Sequence, residues 1–381
     1  MKGEFSPSEL SSYRDPATGV LVYRLTSGPA ISHPSYFLQS SFLAGDETIF
    51  FTSCRTGSAQ LFAARFPDGA IRRLTDGPPI HPFSPAANPL ASEIFFVRGG
   101  ALWAVPIPSL AERRIAGIAG AQLGEPSISP DGEWFVTAFK QGAQAGLLAG
   151  RTRGSSSQVI PFPRTVIHPQ FHPLEPQWIE FAADPAPRMF RVRRDGAGLE
   201  CLYQHGNDEF IVHETFLGTT GDLVFTVWPY RVCRMDWSTR AVRVLVEHNA
   251  WHIAPDRAGR RILCDTNHPD RGIQIIDAAT GGLRDVCRPE ASNQGSQWKT
   301  SRYALAEDFA AARSAAQSAG NLSWMETAGD TVYGPQWTHP HPSWSAVEDK
   351  IAFASDRSGI TQVYVARLPE AGSPASGGPP D

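Results

Sequence analysis

Residues 341–368 read HPSWSAVEDKIAFASDRSGITQVYVARL, and residues 39–66, QSSFLAGDETIFFTSCRTGSAQLFAARF, repeat the same layout. Each stretch has three apolar segments separated by polar turns, and SCRTG in one stands where SDRSG stands in the other. Short segments rich in β-branched and aromatic residues, bounded by turn residues, are typical of β-strands. The fold is therefore expected to be built from a repeated unit of short strands.

This layout recurs seven times along the chain. The second strands of the units are predicted to begin at Ile49, Ile94, Trp134, Trp178, Leu223, Ile262 and Ile351. The first six of these starts are 39 to 45 residues apart, which is the repeat length of a four-stranded propeller blade. The stripes of period 3.6 that a helical solenoid requires are not seen. The sequence predicts an all-β fold, a seven-bladed β-propeller.

The gap before the seventh unit is about twice as long as the others, which predicts an insertion over residues 290–335. Its segment LAEDFAAARSAAQSA is rich in alanine and indicates a helix. This helix is either packed on the propeller surface or placed over the channel mouth, where it would carry Lys299 and Arg302 toward a ligand.

The two ends of the chain are expected to meet in the last blade. GVLVYRLTSG (19–28) resembles GAIRRLTDG (69–77), the outer strand of the first full blade, whereas the final unit ends after three strands. An N-terminal strand that completes this blade would close the ring and remove an open sheet edge. We expect one domain over residues 1–370 and a disordered tail over 371–381.

Composition excludes several classes of partner. Charged residues make up 19% of the chain and the net charge is −4, which argues against a nucleic-acid or membrane-surface binder. The five cysteines form no CxxC pair, so free thiols in a reducing compartment are expected. The N-terminus has no apolar signal-peptide core, and no apolar segment is long enough to span a membrane. These features predict a cytoplasmic protein.

Histidine recurs at one position of the repeat. Ten residues before the second strands stand Gln39, Ser84, Gly124, His168, His213, His252 and His341. Innermost strands line the channel of a propeller, so these positions converge near its axis. One histidine there is most often a core residue, but four on consecutive blades, in a chain with 11 histidines, indicate a metal site.

The segment GPQWTHPHPSW adds a further histidine to this group. Alternate residues of an extended strand share a face, so His339 and His341 are expected to point at the same ion. Gln336, three residues earlier, offers an amide oxygen. Three imidazoles with an amide oxygen suit manganese or another divalent ion, zinc included.

The remaining histidines have other predicted roles. His213, which Glu214 follows, is a candidate base if it lies beside the metal without binding it. His168 is expected either behind the ligands or in contact with substrate. His33 and His81 are expected to be structural.

Several segments together resemble the oligogalacturonate lyases, which are seven-bladed propeller polysaccharide lyases. They are QWTHPHPSW (336–344), WHIAPD (251–256), VHETF (212–216), PAPRMFRVRRDG (185–196), YRDPATGVLVYRLTSG (13–28) and HPSYF (33–37). The resemblance covers most of the chain in order, and the Gln-x-x-His-x-His segment is its most specific part.

The resemblance implies a function and a site. The family's manganese ligands fall on Gln336, His339, His341 and His252. Its base falls on His213, and the arginine that binds the substrate carboxylate falls on Arg188. The implied reaction is β-elimination of short oligogalacturonides, which gives 4,5-unsaturated uronates, and the implied partner is that substrate.

Other functions remain open at this point. The insertion (296–334) and a shorter region around 137–160 differ from the family pattern, so a lyase for another uronide is one alternative. A non-catalytic, TolB-like propeller that binds a saccharide or a protein is the other. A serine peptidase is set aside because no G-x-S-x-G segment is present, and a hydrolase because no acidic pair recurs at the rim.

Overall fold

A computed structural model describes residues 1–43, 45, 48–154, 156–206, 208–267, 270–293 and 336–369. Within these ranges the chain forms seven antiparallel sheets of four or five strands. The predicted seven-bladed β-propeller is therefore confirmed. The helix predicted within 290–335, Lys299, Arg302 and the predicted tail at 371–381 lie outside the described residues.

In each blade the first strand lies at the channel and the next strands lie successively further out. Neighbouring strands pair antiparallel. The strands of blades 1 to 3 are Ser32–His33, Thr48–Ser53, Gln60–Arg65, Ile71–Arg73; Ala86–Ala87, Glu93–Arg98, Ala101–Pro106, Arg113–Gly117; and Gln122–Ile128, Trp134–Gln141, Gln144–Arg151, Ser157–Phe162. Those of blades 4 to 6 are Val166–Phe171, Trp178–Ala183, Met189–Arg193, Glu200–Cys201; Ile211–Phe216, Leu223–Val227, Arg231–Met235, Val242–Val246; and Ala250–Pro255, Arg261–Thr266, Ile273–Asp277, Leu283–Cys287.

Blade 7 combines both ends of the chain. Its inner strands are Ser343–Trp344, Lys350–Ser355 and Gln362–Arg367, and its outer strands are Leu21–Arg24 and Ser11–Arg14. Tyr23 pairs with Val365 across the junction. The N-terminus extends one blade further, because Phe5–Ser6 pairs with the outer strand of blade 1. Short 3-10 turns lie at Gly218–Thr220 and Gln336–Thr338.

The hydrophobic core lies between neighbouring blades. Val136 and Leu147 of blade 3 pack against Ile179 and Val192 of blade 4, and all four are buried. Each middle strand is covered on both faces by adjacent sheets, which explains why these strands read as apolar runs rather than as alternating patterns. Burial of this surface fixes the blades around the axis and thereby positions the residues of the channel.

All five cysteines are free thiols, three of them buried. Among the described segments, no helix has the length and hydropathy needed to cross a membrane.

Candidate metal centre

A β-bulge places the histidines of blades 4, 5 and 6. In blade 5, two residues of the inner strand lie opposite one residue of the second strand, because Val212 pairs with Thr226 and Thr215 with Val224. The inner strands of blades 4 and 6 have the same irregularity. A bulge redirects side chains that regular pairing would place on a sheet face. His168, His213 and His252 each lie within one of these bulges.

Three of the channel histidines also have left-handed backbone angles. The φ angles of His168, His213 and His341 are 55°, 59° and 45°. This region is sterically costly for residues other than glycine, and such strain often accompanies functional sites. The surrounding blades hold all three histidines in this conformation, and each is at most 2% exposed.

His252, His339 and His341 form a compact cluster. One ligand nitrogen of each residue lies within 4.8 Å of the others, and all three side chains are buried. The rings of His252 and His341 are 4.1 Å apart between centroids. The structure thus brings together the three predicted histidine ligands, although they come from two blades and from separate parts of the chain.

Asp265 orients one of these imidazoles. The His252 ring nitrogen Nδ1 is 2.7 Å from Asp265 Oδ2, and the His252 backbone N–H donates to Oδ1 of the same carboxylate at 2.8 Å. A proton on Nδ1 leaves the lone pair of Nε2 available, as in many metal sites where a carboxylate supports the ligand. Burial raises the pKa of Asp265 to about 7 and lowers that of His252 well below 6.5.

Gln336 lies next to the same cluster. Its Oε1 is 3.2 Å from Nε2 of His341, and its side chain is buried within a 3-10 turn. His252 Nε2 is also buried, with no hydrogen-bond partner among the residues described. Three imidazoles, one of them with an orphaned buried nitrogen, and an amide oxygen fit a divalent ion of intermediate hardness. The predicted donor set is therefore compatible with a metal.

His213 lies beside the cluster but outside it. Its ring centroid is 4.6 Å from that of His252, and its edge meets Trp251 at 4.5 Å and Phe37 at 4.9 Å. Burial lowers the pKa of His213 well below 6.5, and neighbouring positive charges act in the same direction. His213 therefore neighbours the three-histidine cluster without belonging to it, and its role as a base stays a prediction.

His168 is held by a residue that the sequence did not single out. The Tyr36 hydroxyl is 3.0 Å from Nε2 of His168, and the Tyr36 ring also contacts His341, at 5.0 Å between centroids. Tyr36 belongs to the connection after the first strand of blade 1, which enters the channel with Phe37. Tyr36 thus holds His168 outside the three-histidine cluster, and both roles expected for His168, behind the ligands or in contact with substrate, stay predictions.

Arg188 is buried within a charged network. Its Nε donates to Glu214 Oε1 at 2.5 Å and its Nη1 to Asp184 Oδ1 at 2.7 Å. All three side chains are at most 6% exposed. A substrate carboxylate, which the family resemblance places against Arg188, would have to compete with these internal bonds, and Nη2 is the terminal nitrogen for which the described residues provide no hydrogen bond.

Glu180 lies near this network, in the core of blade 4, without bonding to it. It is fully buried, and neither carboxylate oxygen has a hydrogen-bond partner within the described part of the chain. Burial and the nearby Glu214 carboxylate raise the pKa of Glu180 well above 4.5. The surroundings of Glu180 therefore favour the protonated form of its carboxyl group.

The two histidines predicted to be structural lie outside the three-histidine cluster. His33 is buried, stacks on Phe83 at 4.4 Å between ring centroids, and bonds through Nδ1 to the Pro34 carbonyl. His81 is half-buried at the end of a connection in blade 2.

Sequence reasoning missed Asp265 and Tyr36. A signal for Asp265 was present, because the residues opposite the bulges of blades 4 and 5 are Phe181 and Phe225, whereas blade 6 has an acid. A charged residue at a position that is otherwise apolar in the repeat indicates a specific partner. No comparable signal distinguishes Tyr36 from an ordinary core aromatic residue.

The chain is similar in sequence to two known lyases over nearly its full length. No family model matches the chain. An oligogalacturonide lyase of Pectobacterium atrosepticum is 20% identical over 97% of this chain and 98% of its own length. An oligogalacturonate lyase of Dickeya dadantii is 22% identical over the same shares of the two chains.

A solved structure of an oligogalacturonate lyase in complex with manganese superimposes with a TM-score of 0.79. It is 20% identical and covers 97% of this chain and 98% of its own. That agreement extends the shared propeller fold to nearly the whole of both molecules. The resemblance to the oligogalacturonate lyases that the site segments indicate is therefore confirmed over almost the full length of the chain.

Proposed function

We propose that this protein is a metal-dependent lyase that cleaves short oligogalacturonides by β-elimination. The observation that carries the proposal is the buried cluster of His252, His339 and His341 with His213 beside it. A propeller that serves only as a scaffold does not need converging imidazoles at its axis. The full-length similarity to lyases of this substrate class supports the same conclusion.

His252, His339, His341 and Gln336 would hold the metal, and we propose manganese because the similar solved structure contains it. When bound, the ion neutralises the negative charge that develops on the uronate carboxylate during elimination. Asp265 keeps the His252 ring in the required orientation. His341, whose backbone is left-handed, contributes its ring to the same cluster.

His213 is proposed as the base. It takes the proton from C5 of the uronate, which is acidified by the adjacent carboxylate. The electron pair forms the C4–C5 double bond as the bond from C4 to the glycosidic oxygen breaks. The departing oxygen then takes a proton from water or from the protonated His213. The products are one saturated fragment and one 4,5-unsaturated uronate.

Arg188 and His168 are proposed to hold the substrate. Nη2 of Arg188 is the nitrogen that remains for the uronate carboxylate, since Nε and Nη1 bond to Glu214 and Asp184. This single charge-assisted bond would share the developing charge. We propose that His168, which bonds to Tyr36, contacts a sugar hydroxyl of the bound substrate. Lys299 and Arg302 remain proposed substrate contacts on sequence grounds alone.

The test is formation of the unsaturated product from trigalacturonate, followed by its ultraviolet absorbance. Chelator-treated protein should be inactive and should regain activity with Mn²⁺. His213→Ala should lower kcat by about 10²–10⁴-fold, the usual contribution of a general base. His81→Asn, a histidine of blade 2, is the control and should retain activity. Absence of product from wild-type protein loaded with metal would contradict the proposal.

A further inference from the structure

The side chain of His205 holds the backbone of Arg188. Arg188 is the last residue of the connection between the second and third strands of blade 4, and its backbone N–H donates to Nε2 of His205 at 2.9 Å. Its backbone carbonyl accepts from the N–H of Ala183 at 2.8 Å. One polar group of the Arg188 backbone is thus paired within blade 4, and the other with an imidazole from the connection between blades 4 and 5.

The bond to Arg188 fixes both the charge and the tautomer of the His205 ring. A backbone N–H can only donate, so Nε2 of His205 has to offer a lone pair. The ring proton is then on Nδ1, which is 3.0 Å from the Gly206 carbonyl and donates to it. A protonated imidazole would instead place an N–H on Nε2 against the N–H of Arg188. The observed bond therefore requires a neutral His205.

The Arg188 backbone has little access to water as a substitute partner. The residue is 4% exposed, and a buried N–H without an acceptor is disfavoured. Pro185 and Pro187 restrict the backbone immediately before it. Loss of the His205 acceptor would therefore require the connection to shift or water to enter, and a shift would move the point from which the Arg188 guanidinium extends.

Several groups act on the charge of the imidazole. The titratable groups around it come from three elements: Arg188 before the third strand of blade 4, Glu214 in the inner strand of blade 5, and Tyr203, Asp208 and Glu209 in the connection that carries His205 itself. Burial lowers the pKa of His205 from 6.5, and the charge of Arg188 acts in the same direction, whereas the Gly206 carbonyl, Glu214 and Glu209 raise it. The ring is therefore neutral at pH 7.5 and takes up a proton in mild acid.

We infer that His205 is a positioning residue for Arg188 and that its protonation weakens substrate binding. The inference rests on the proposed function for the role of Arg188, which is to bind the uronate carboxylate. With His205 neutral, the Arg188 backbone is fixed while Asp184 and Glu214 hold its guanidinium. In acid the backbone loses one of its two partners. Substrate binding is thereby coupled to pH through a group outside the histidine cluster.

The bond itself is tested by NMR of protein labelled with ¹⁵N-histidine and ¹⁵N-arginine and loaded with diamagnetic Zn²⁺ in place of Mn²⁺. The His205 signal, identified by its absence from His205→Gln, should show a neutral ring with its proton on Nδ1 at pH 7.5. Between pH 8 and pH 5 the Arg188 amide signal should shift with the same midpoint as the His205 ring. A charged ring at pH 7.5, or an Arg188 amide that does not follow the titration, would overturn the inference.

The effect on binding is measured by calorimetry with trigalacturonate and Mn²⁺-loaded protein that carries His213→Ala, which prevents turnover and removes the titration of His213. Between pH 7.5 and pH 5 the dissociation constant should rise about tenfold, the effect of one lost hydrogen bond. In this background His205→Gln, whose amide oxygen can accept the same N–H without titrating, should bind equally at both pH values. His205→Leu should bind weakly at both.

His248→Gln is the matched control, because His248 lies in the equivalent connection of the next blade, and it should keep the pH dependence of the parent protein. Metal content and thermal melting are checked for each variant at both pH values. A pH dependence that persists in His205→Gln would overturn the role of His205 in binding. Coupled NMR titration without binding of trigalacturonate at any pH would uphold the link between His205 and Arg188 and reject the oligogalacturonide as the ligand.

Discussion

The axial ends of blades 4 to 7 differ from those of blades 1 to 3 although the repeat is the same. In blades 1 and 2 the equivalent side chains bond to the backbone of the protein itself, as Gln39 does to the Pro126 carbonyl and Ser84 to the His81 carbonyl. In blades 4 to 7 the position is histidine, and the imidazoles gather at the axis.

Blade 3 has the backbone bulge of the histidine blades but no histidine in it. It has the same bulge, in which Gly124 and Glu125 lie opposite Ala138. The bulge is thus a property of the repeat that does not depend on histidine. The features specific to the site come from side chains. The groups that support the histidines, Asp265 and the network around Arg188, belong to blades 4 to 6.

The largest effect on stability is expected from a variant that breaks the buried ion pairs of Arg188 in blades 4 and 5. Arg188→Met removes the guanidinium that bonds to the buried Asp184 and Glu214 carboxylates, and should lower the free energy of unfolding by about 3–5 kcal/mol. Arg193→Met, at the end of the strand that follows Arg188, removes an exposed pair with Asp195 and should cost less than about 1 kcal/mol. Denaturant unfolding measures both, and equal losses would show that the buried network is not structural.

A smaller effect is expected from Asp265→Asn, which removes the carboxylate behind His252. Loss of such a partner usually weakens metal binding by about 10–100-fold. Titration with Mn²⁺ should show this loss, and activity should return at higher metal concentration. Asp277→Asn, in an exposed turn of the same blade, serves as the control. An unchanged Mn²⁺ affinity for Asp265→Asn would mean that the carboxylate does not orient the ligand.

The smallest effect is expected from Tyr36→Phe, which removes the hydroxyl that bonds to His168. The lost hydrogen bond should cost about 0.5–1.5 kcal/mol of stability, and metal binding should persist. Thermal melting together with Mn²⁺ titration measures both quantities. Complete loss of metal in this variant would place Tyr36 among the groups that build the centre.

The repeat made much of the fold predictable from sequence. The predicted starts of the second strands, such as Ile49 and Trp134, agree within one residue with the observed strands. Apolar runs of fixed spacing report blade packing directly, because every middle strand is covered on both faces. Because four histidines occupy one position of the repeat, the sequence alone could likewise place them on one ring around the axis.

The contacts between strands and between blades were not predictable in the same way. Asp265 meets His252 only through the cross-strand register of blade 6. Glu214 reaches Arg188 from a neighbouring blade. The arginine that we expected to bind substrate therefore already bonds to two carboxylates of the protein, those of Glu214 and Asp184. Such pairings depend on bulges and on the approach of sheets, and the spacing of residues along the chain does not encode them.

The most direct test of the account is the metal content of purified variants after removal of metal and dialysis against Mn²⁺. We predict one ion per chain for the wild type and for His213→Ala, and loss of that ion in His252→Ala, His339→Ala and His341→Ala. This result would separate the ligands from the neighbouring base. Full metal content in His252→Ala, or its loss in His213→Ala, would contradict the assignment of roles to the channel histidines.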